Sequence, residues 1–124
     1  MIRYLTAEEV IKIHSVMIER YGGSHGLRDH TALEAATMRP QSGYYPNIQT
    51  EALALMESLA INHPFIDGNK RVALAACEVF LILNDYEITL SSNLLYEGIM
   101  ELFETQNFNL KGLETLLLEH IHPT

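Results

Sequence analysis

Between Ile61 and Cys77 the chain reads INHPFIDGNKRVALAAC, and His63, Asp67, Gly68, Asn69, Lys70 and Arg71 crowd into its polar part. Each residue type has a distinct chemical capacity. His63 is the one group in the stretch that takes up a proton near neutral pH, as a general base must. Asp67 is its only carboxylate; beside a phosphate, a lone carboxylate commonly holds Mg²⁺ together with phosphate oxygens. Gly68 can adopt the positive φ that turns successive amides toward one point, forming an anion nest. Lys70 and Arg71 add two positive charges where a helix is about to begin, although the first turn of a helix favours acids. A bound phosphate is the simplest compensation. A base, a metal carboxylate, a nest and two cations together suit the transfer of part of a nucleotide to a hydroxyl. The plainer alternative is a polar helix–helix connection with an Asn cap. It suffices for any one residue but leaves the ordered set unexplained.

The elements that must position this turn are helices. TAEEVIKIHSVMIERYGG opens on a capping box, Thr6 with Glu9, and stops at Gly22 and Gly23. Val10, Ile13, His14, Met17 and Ile18 form its apolar stripe, which makes His14 a packed core histidine. HTALEAATMRP reads as a short helix with Thr31 and Glu34 near its start and Pro40 at its end. QSGYYPNIQ reads as a loop or a small hairpin. TEALALMESLAINH is a third helix, which Pro64 should end at His63. NKRVALAACEVFLILND is a fourth, apolar on nearly every side and suited to the centre of a bundle, with Gly68 or Asn69 as its cap. At least one of Phe65 and Ile66 should point inward and pin the turn. Asp85 to Leu90 reads as a short extended connector, and SSNLLYEGIMELFETQ and NLKGLETLLLEHI as two amphipathic helices. The expected fold is all-α: one domain over residues 1–124, about six helices around a central apolar helix.

Composition narrows the partners. The 124 residues carry a formal net charge of −8 with only eight Lys and Arg, which argues against a phosphate-backbone footprint on nucleic acid. The aromatic residues are not interleaved with basic ones, so a base-stacking platform is not expected. The longest apolar stretch, Val72 to Leu83, is interrupted by Glu78 and too short to span a bilayer. Cys77 is alone and reads as a buried small hydrophobe. With no secretory signal in the first residues, a reducing, cytoplasmic setting is the expectation. His25 and His30, and His120 and His122, lack zinc spacing with further ligands and read as surface residues. Arg20, Arg28 and Arg39 read as solvated or paired with acids.

HPFIDGNKR resembles the signature of the Fic/Doc family, HxFx(D/E)GNGRxxR. His63, Phe65, Asp67, Gly68, Asn69 and Arg71 match it. RYGG after the first helix, RPQ at Arg39 to Gln41 and the motif's place before a long apolar helix resemble the death-on-curing (Doc) branch. The resemblance implies an all-helical fold and nucleotide transfer from ATP. It makes His63 the catalytic base, Asp67 the Mg²⁺ ligand, and Gly68, Asn69 and Arg71 phosphate holders. It also implies a flap, at QSGYYPNIQ, that aligns the target segment as an added strand.

The chain departs from the signature at Lys70, where the second Gly of GNG stands, and at Leu74, where its last Arg stands. Both departures look like the Doc branch, whose members resemble kinases. They move the γ-phosphate of ATP to a threonine of elongation factor Tu, arrest translation and are held in check by a Phd-type antitoxin. Lys70 then joins the phosphate-binding set. AMP transfer, the usual Fic activity, is the alternative; a Fic fold that has lost catalysis and serves as an interaction module is another. NLLYEG, Asn93 to Gly98, nearly matches the Fic inhibitory pattern (S/T)xxxE(G/N) but reads as an ordinary helix. A groove for the antitoxin tail is one expectation for Leu94, Leu95, Ile99, Leu116 and Leu117; the alternative is that these residues are all core.

Overall fold

The computed structural model describes residues Met1–Thr124. Its helices run α1 (Ala7–Tyr21), α2 (His30–Met38), α3 (Ile48–Asn62), α4 (Asn69–Leu83), α5 (Ser92–Glu104) and α6 (Leu110–Leu117). Two short strands, β1 (Tyr86–Ile88) and β2 (Ile121–Pro123), pair antiparallel with Ile88 opposite Ile121. The all-α class stands, and no helix is long and apolar enough to cross a membrane.

Local chemistry sets most helix ends. Thr6 Oγ1 accepts from Glu9 N and Glu9 Oε1 accepts from Thr6 N, closing the capping box of α1; Gly22, at φ 88°, ends it. Asp29 caps α2 by accepting from Ala32 N at 3.0 Å, two residues before Thr31. Asn47, Ser91 and Asn109 cap α3, α5 and α6 in the same way.

The centre of the bundle is a pair of helices. α4 buries Val72, Ala73, Ala76, Cys77, Phe80 and Leu81, but its C-terminal Ile82 and Leu83 are exposed. α3 is buried along most of its length, from Ile48 to Ala60, and is the most enclosed element. α1 packs on α4, and α6 packs on α3. Phe65, in the turn joining the two central helices, is only 1% exposed, whereas Ile66 points outward.

The structure decides two open expectations. QSGYYPNIQ, read as a loop or a small hairpin, takes the loop form: Arg39–Ser42 is a 3₁₀ turn, Gly43 is left-handed, and α3 begins at Ile48. Only five residues lie between Ser42 and Ile48, too few for two paired strands. A strand pair forms elsewhere, from the connector after α4 and Ile121–Pro123 near the C-terminus; α6 ends at Leu117 and a 3₁₀ turn, Leu118–His120, leads into β2. The five residues expected to line a groove form no shared apolar face; the cleft between α5 and α6 that Leu116 borders is lined mostly by polar residues. Leu95, Ile99 and Leu117 belong to the core, Leu116 is half-buried and only Leu94 is exposed.

Candidate functional site

The turn His63–Gly68 links the C-terminus of α3 to the N-terminus of α4. His63 caps α3 in the left-handed region, φ 47° and ψ 58°. A non-glycine residue pays about 1–2 kcal/mol there, so the surroundings must hold it. Pro64, which cannot extend the helix, and Phe65, anchored in the core, fix the chain direction that follows.

Asn69 locks the turn from inside. Its side chain is buried, accepts from Phe65 N at 2.9 Å and donates to Phe65 O at 2.9 Å. The same amide nitrogen lies 3.4 Å from His63 Nδ1, a long contact. The capping question is thereby answered. Gly68, φ 74°, is the N-cap of α4, and Asn69 is its first helical residue. No side chain caps this helix, so its first turn keeps N–H groups available to an anion.

Asp67 is held at three points. Its Oδ1 accepts from Gly68 N at 2.8 Å and its Oδ2 from Ser24 N at 3.1 Å, while its backbone carbonyl lies 2.7 Å from His14 Nε2. A carbonyl can only accept, so that nitrogen carries the proton. The His14 ring also stacks on Phe65, with centroids 3.9 Å apart. Read from sequence as a core histidine, His14 is buried as expected and also supports the polar turn from beneath.

The two cations are fixed by aromatic faces. Lys70 Nζ sits 4.3 Å from the centre of the Phe103 ring of α5, and Arg71 Cζ lies 5.1 Å from the Tyr21 ring of α1. Arg71 Nη1 also reaches Gly22 O at 3.4 Å. All six sequence-derived site residues, His63, Asp67, Gly68, Asn69, Lys70 and Arg71, line one cleft of about 480 Å³. Leu74 of α4 and Tyr96, Ile99, Met100 and Phe103 of α5 form its apolar wall. Leu74, replacing an arginine of the signature, is therefore part of that wall.

The donor set fits a nucleotide phosphate with a metal held chiefly by it. Each Asp67 oxygen accepts one N–H and retains capacity for a further partner. No cluster of three or more His, Cys, Asp or Glu converges anywhere in the chain, so an all-protein metal cage is not built. Mg²⁺ bound through one carboxylate and phosphate oxygens suits this arrangement.

Residues 4–81 match the model of the Fic/DOC family. The chain belongs to the Fic/Doc family. Among its relatives, "Toxin Doc" of Mycolicibacterium smegmatis is 37% identical over 108 residues, covering 78% of this chain and 81% of the relative. "Protein kinase doc" of Escherichia phage P1 is 32% identical over 90 residues, covering 69% and 71%. Both place this Fic/Doc chain in the Doc branch. The matched region contains the whole turn and nearly all of α4.

Sequence reasoning left out the residues that reach the turn from far along the chain. Besides His14 these are Ser24, Tyr21, Phe103 and Arg28, the last read only as a solvated or ion-paired arginine. It donates instead to the backbone carbonyl of His63 and to that of Asn62 at the end of α3. The RYGG match was the one sequence signal pointing toward this group.

Proposed function

We propose that this Fic/Doc chain is a Doc-type toxin and acts as a protein kinase, moving the γ-phosphate of ATP to a Ser or Thr hydroxyl of a protein. The observation that carries the reading is one cleft into which His63, Asp67 and the uncapped start of α4, with Lys70 and Arg71, all open. The relatives named as a Doc toxin and a protein kinase support it. By family resemblance, the target is elongation factor Tu, with translation arrested, and the partner is a Phd-type antitoxin.

The chain's own groups divide the work. Gly68, Asn69, Lys70 and Arg71 receive the phosphates through backbone amides and two cations. Lys70 adds a compact charge suited to the terminal phosphates. Asp67 is the metal ligand, and Mg²⁺ when bound neutralises charge across the phosphates. His63 takes the hydroxyl proton as the oxygen–phosphorus bond forms. The bridging bond to the γ-phosphorus breaks and ADP leaves. The apolar wall shields the reaction from water.

ATP labelled separately at the α and γ positions, incubated with the protein and cell lysate, tests this. The γ label should appear on a protein acceptor as a gain of about 80 Da, one phosphate. His63→Ala should abolish it, and Asp67→Ala should remove most of its Mg²⁺ dependence. The α label on the acceptor would replace the kinase with an AMP transferase. No label from either form would leave an interaction module.

A further inference from the structure

The segment from Gly22 to Asp29 runs alongside the whole catalytic turn and touches nearly every residue of it. Ser24 N donates to Asp67, and Gly26 O accepts from Ile66 N at 3.0 Å. Leu27 bridges to Phe65 in the antiparallel sense, and the N–H groups of Arg28 and Asp29 both donate to Pro64 O, at 2.8 and 3.0 Å. The two glycines of the segment approach the turn closely. A Cβ on Gly23 would fall 2.7 Å from Asp67 Oδ2, and one on Gly26 would fall 2.6 Å from Ile66 Cδ1.

At the end nearest His63 the strap uses a side chain. Arg28 Nε and Nη2 donate to His63 O at 2.9 and 2.6 Å, and Nη2 also reaches Asn62 O at 3.2 Å. These carbonyls end α3, where no further helical N–H can satisfy them and the helix dipole is negative. A planar guanidinium can hold both in one orientation, which a lysine ammonium cannot match. His63 needs such a hold, because its left-handed backbone is disfavoured and the direction of its imidazole follows from that backbone.

We propose that Arg28 is a positioning residue for His63: its guanidinium clamps the His63 and Asn62 carbonyls and thereby aims the imidazole into the cleft. This rests on the reading of His63 as the base. The contacts are solvent-facing, so their loss should disturb stability little and geometry much. Small misplacements of a reacting group lower rates by about a hundredfold.

Arg28→Ala and Arg28→Lys, in the full chain, test it by two independent readouts. The first is γ-phosphate transfer to the lysate acceptor at saturating and limiting ATP. The second is the NMR signal of the His63 ring, assigned by its absence in His63→Ala. In Arg28→Ala the saturating rate should fall about tenfold to hundredfold, with KM for ATP within about twofold. Arg28→Lys should lie between. The His63 signal should shift or broaden while those of His25 and His30 stay in place. A wild-type rate in Arg28→Ala, or a loss confined to KM for ATP, overturns the proposal. If the unmutated protein transfers nothing, the kinase reading fails instead, and the ring signal alone decides: unmoved, it removes Arg28 from this role. Should Arg28→Ala not fold, Arg28→Lys is read by the same criteria.

Discussion

Gly22 and Gly23 are neighbours with positive φ, 88° and 114°, yet only the second faces the site. A Cβ at Gly22 meets nothing within 4 Å, whereas one at Gly23 strikes the Asp67 carboxylate. Alanine at either position should lower stability by about 1–2 kcal/mol through backbone strain. Gly23→Ala should in addition displace the carboxylate and weaken Mg²⁺-dependent ATP binding, an effect absent from Gly22→Ala. Urea denaturation and calorimetry with ATP, with and without Mg²⁺, separate the two. Equal Mg²⁺ dependence in both variants would show that the close approach does not set the carboxylate's position.

The elements are tied to one another by a few polar contacts at the edges of the core. Arg39 donates to Tyr45 Oη, Ser58 Oγ and Glu57 Oε1, while Glu57 Oε2 accepts from Leu110 N. One ion pair thus joins the 3₁₀ turn, α3 and the start of α6. Burial disfavours the Arg39 charge, but its bonds to Glu57 and Tyr45 outweigh that and hold its pKa above the ordinary value. At the other end of α3, Tyr4 Oη donates to Glu51 Oε1 at 2.7 Å, fastening the N-terminal segment. Burial first, then the Glu51 carboxylate, pushes the Tyr4 phenol from 10.0 to about 12. The folded state therefore binds this proton more tightly than the unfolded chain. Its stabilisation is complete below pH 10 and is lost as pH rises from about 10 to about 12. Unfolding free energies across that window, followed by far-UV circular dichroism, should fall in the wild type. Tyr4→Phe should flatten the fall, and an unchanged slope would show that another group carries it.

For the whole molecule, stability rests on an apolar core without covalent staples. Cys77 is the only cysteine and lies fully buried on α4 between the packed helices. Burial, with a smaller contribution from the nearby Glu78 charge, raises its thiol far above the ordinary range. It should be inert to a thiol reagent such as dithionitrobenzoate in the native state, reacting only as fast as the core opens. Its modification rate in increasing urea should follow global unfolding. Rapid native labelling would mean that α4 opens locally, and with it the N-terminus that carries Lys70 and Arg71.

Sequence alone determined the features that depend on near neighbours. The Thr6–Glu9 box, the Gly22 stop and the Pro64 break involve residues within four positions of one another, so local stereochemistry decides them. The candidate site was legible as a group for the same reason: His63 to Arg71 is one continuous segment, the turn and the first residues of α4, and covalent geometry keeps its members together. The 3.6-residue apolar pattern likewise announced the helices, and the Phe65–Ile66 pair an inward anchor, while packing decided that it is Phe65. Tertiary structure decided which distant groups complete the turn. His14 lies 53 residues from Asp67 and Arg28 lies 35 from His63, and they meet only because of how the intervening helices pack. The β1–β2 pair was hidden likewise. Three-residue strands carry little periodicity, and their partners lie at opposite ends of α5 and α6. A histidine on an apolar stripe and an arginine in a loop have ordinary roles by type. Their hold on the turn between α3 and α4 follows from packing, which brings donors from one part of the chain to carbonyls of another.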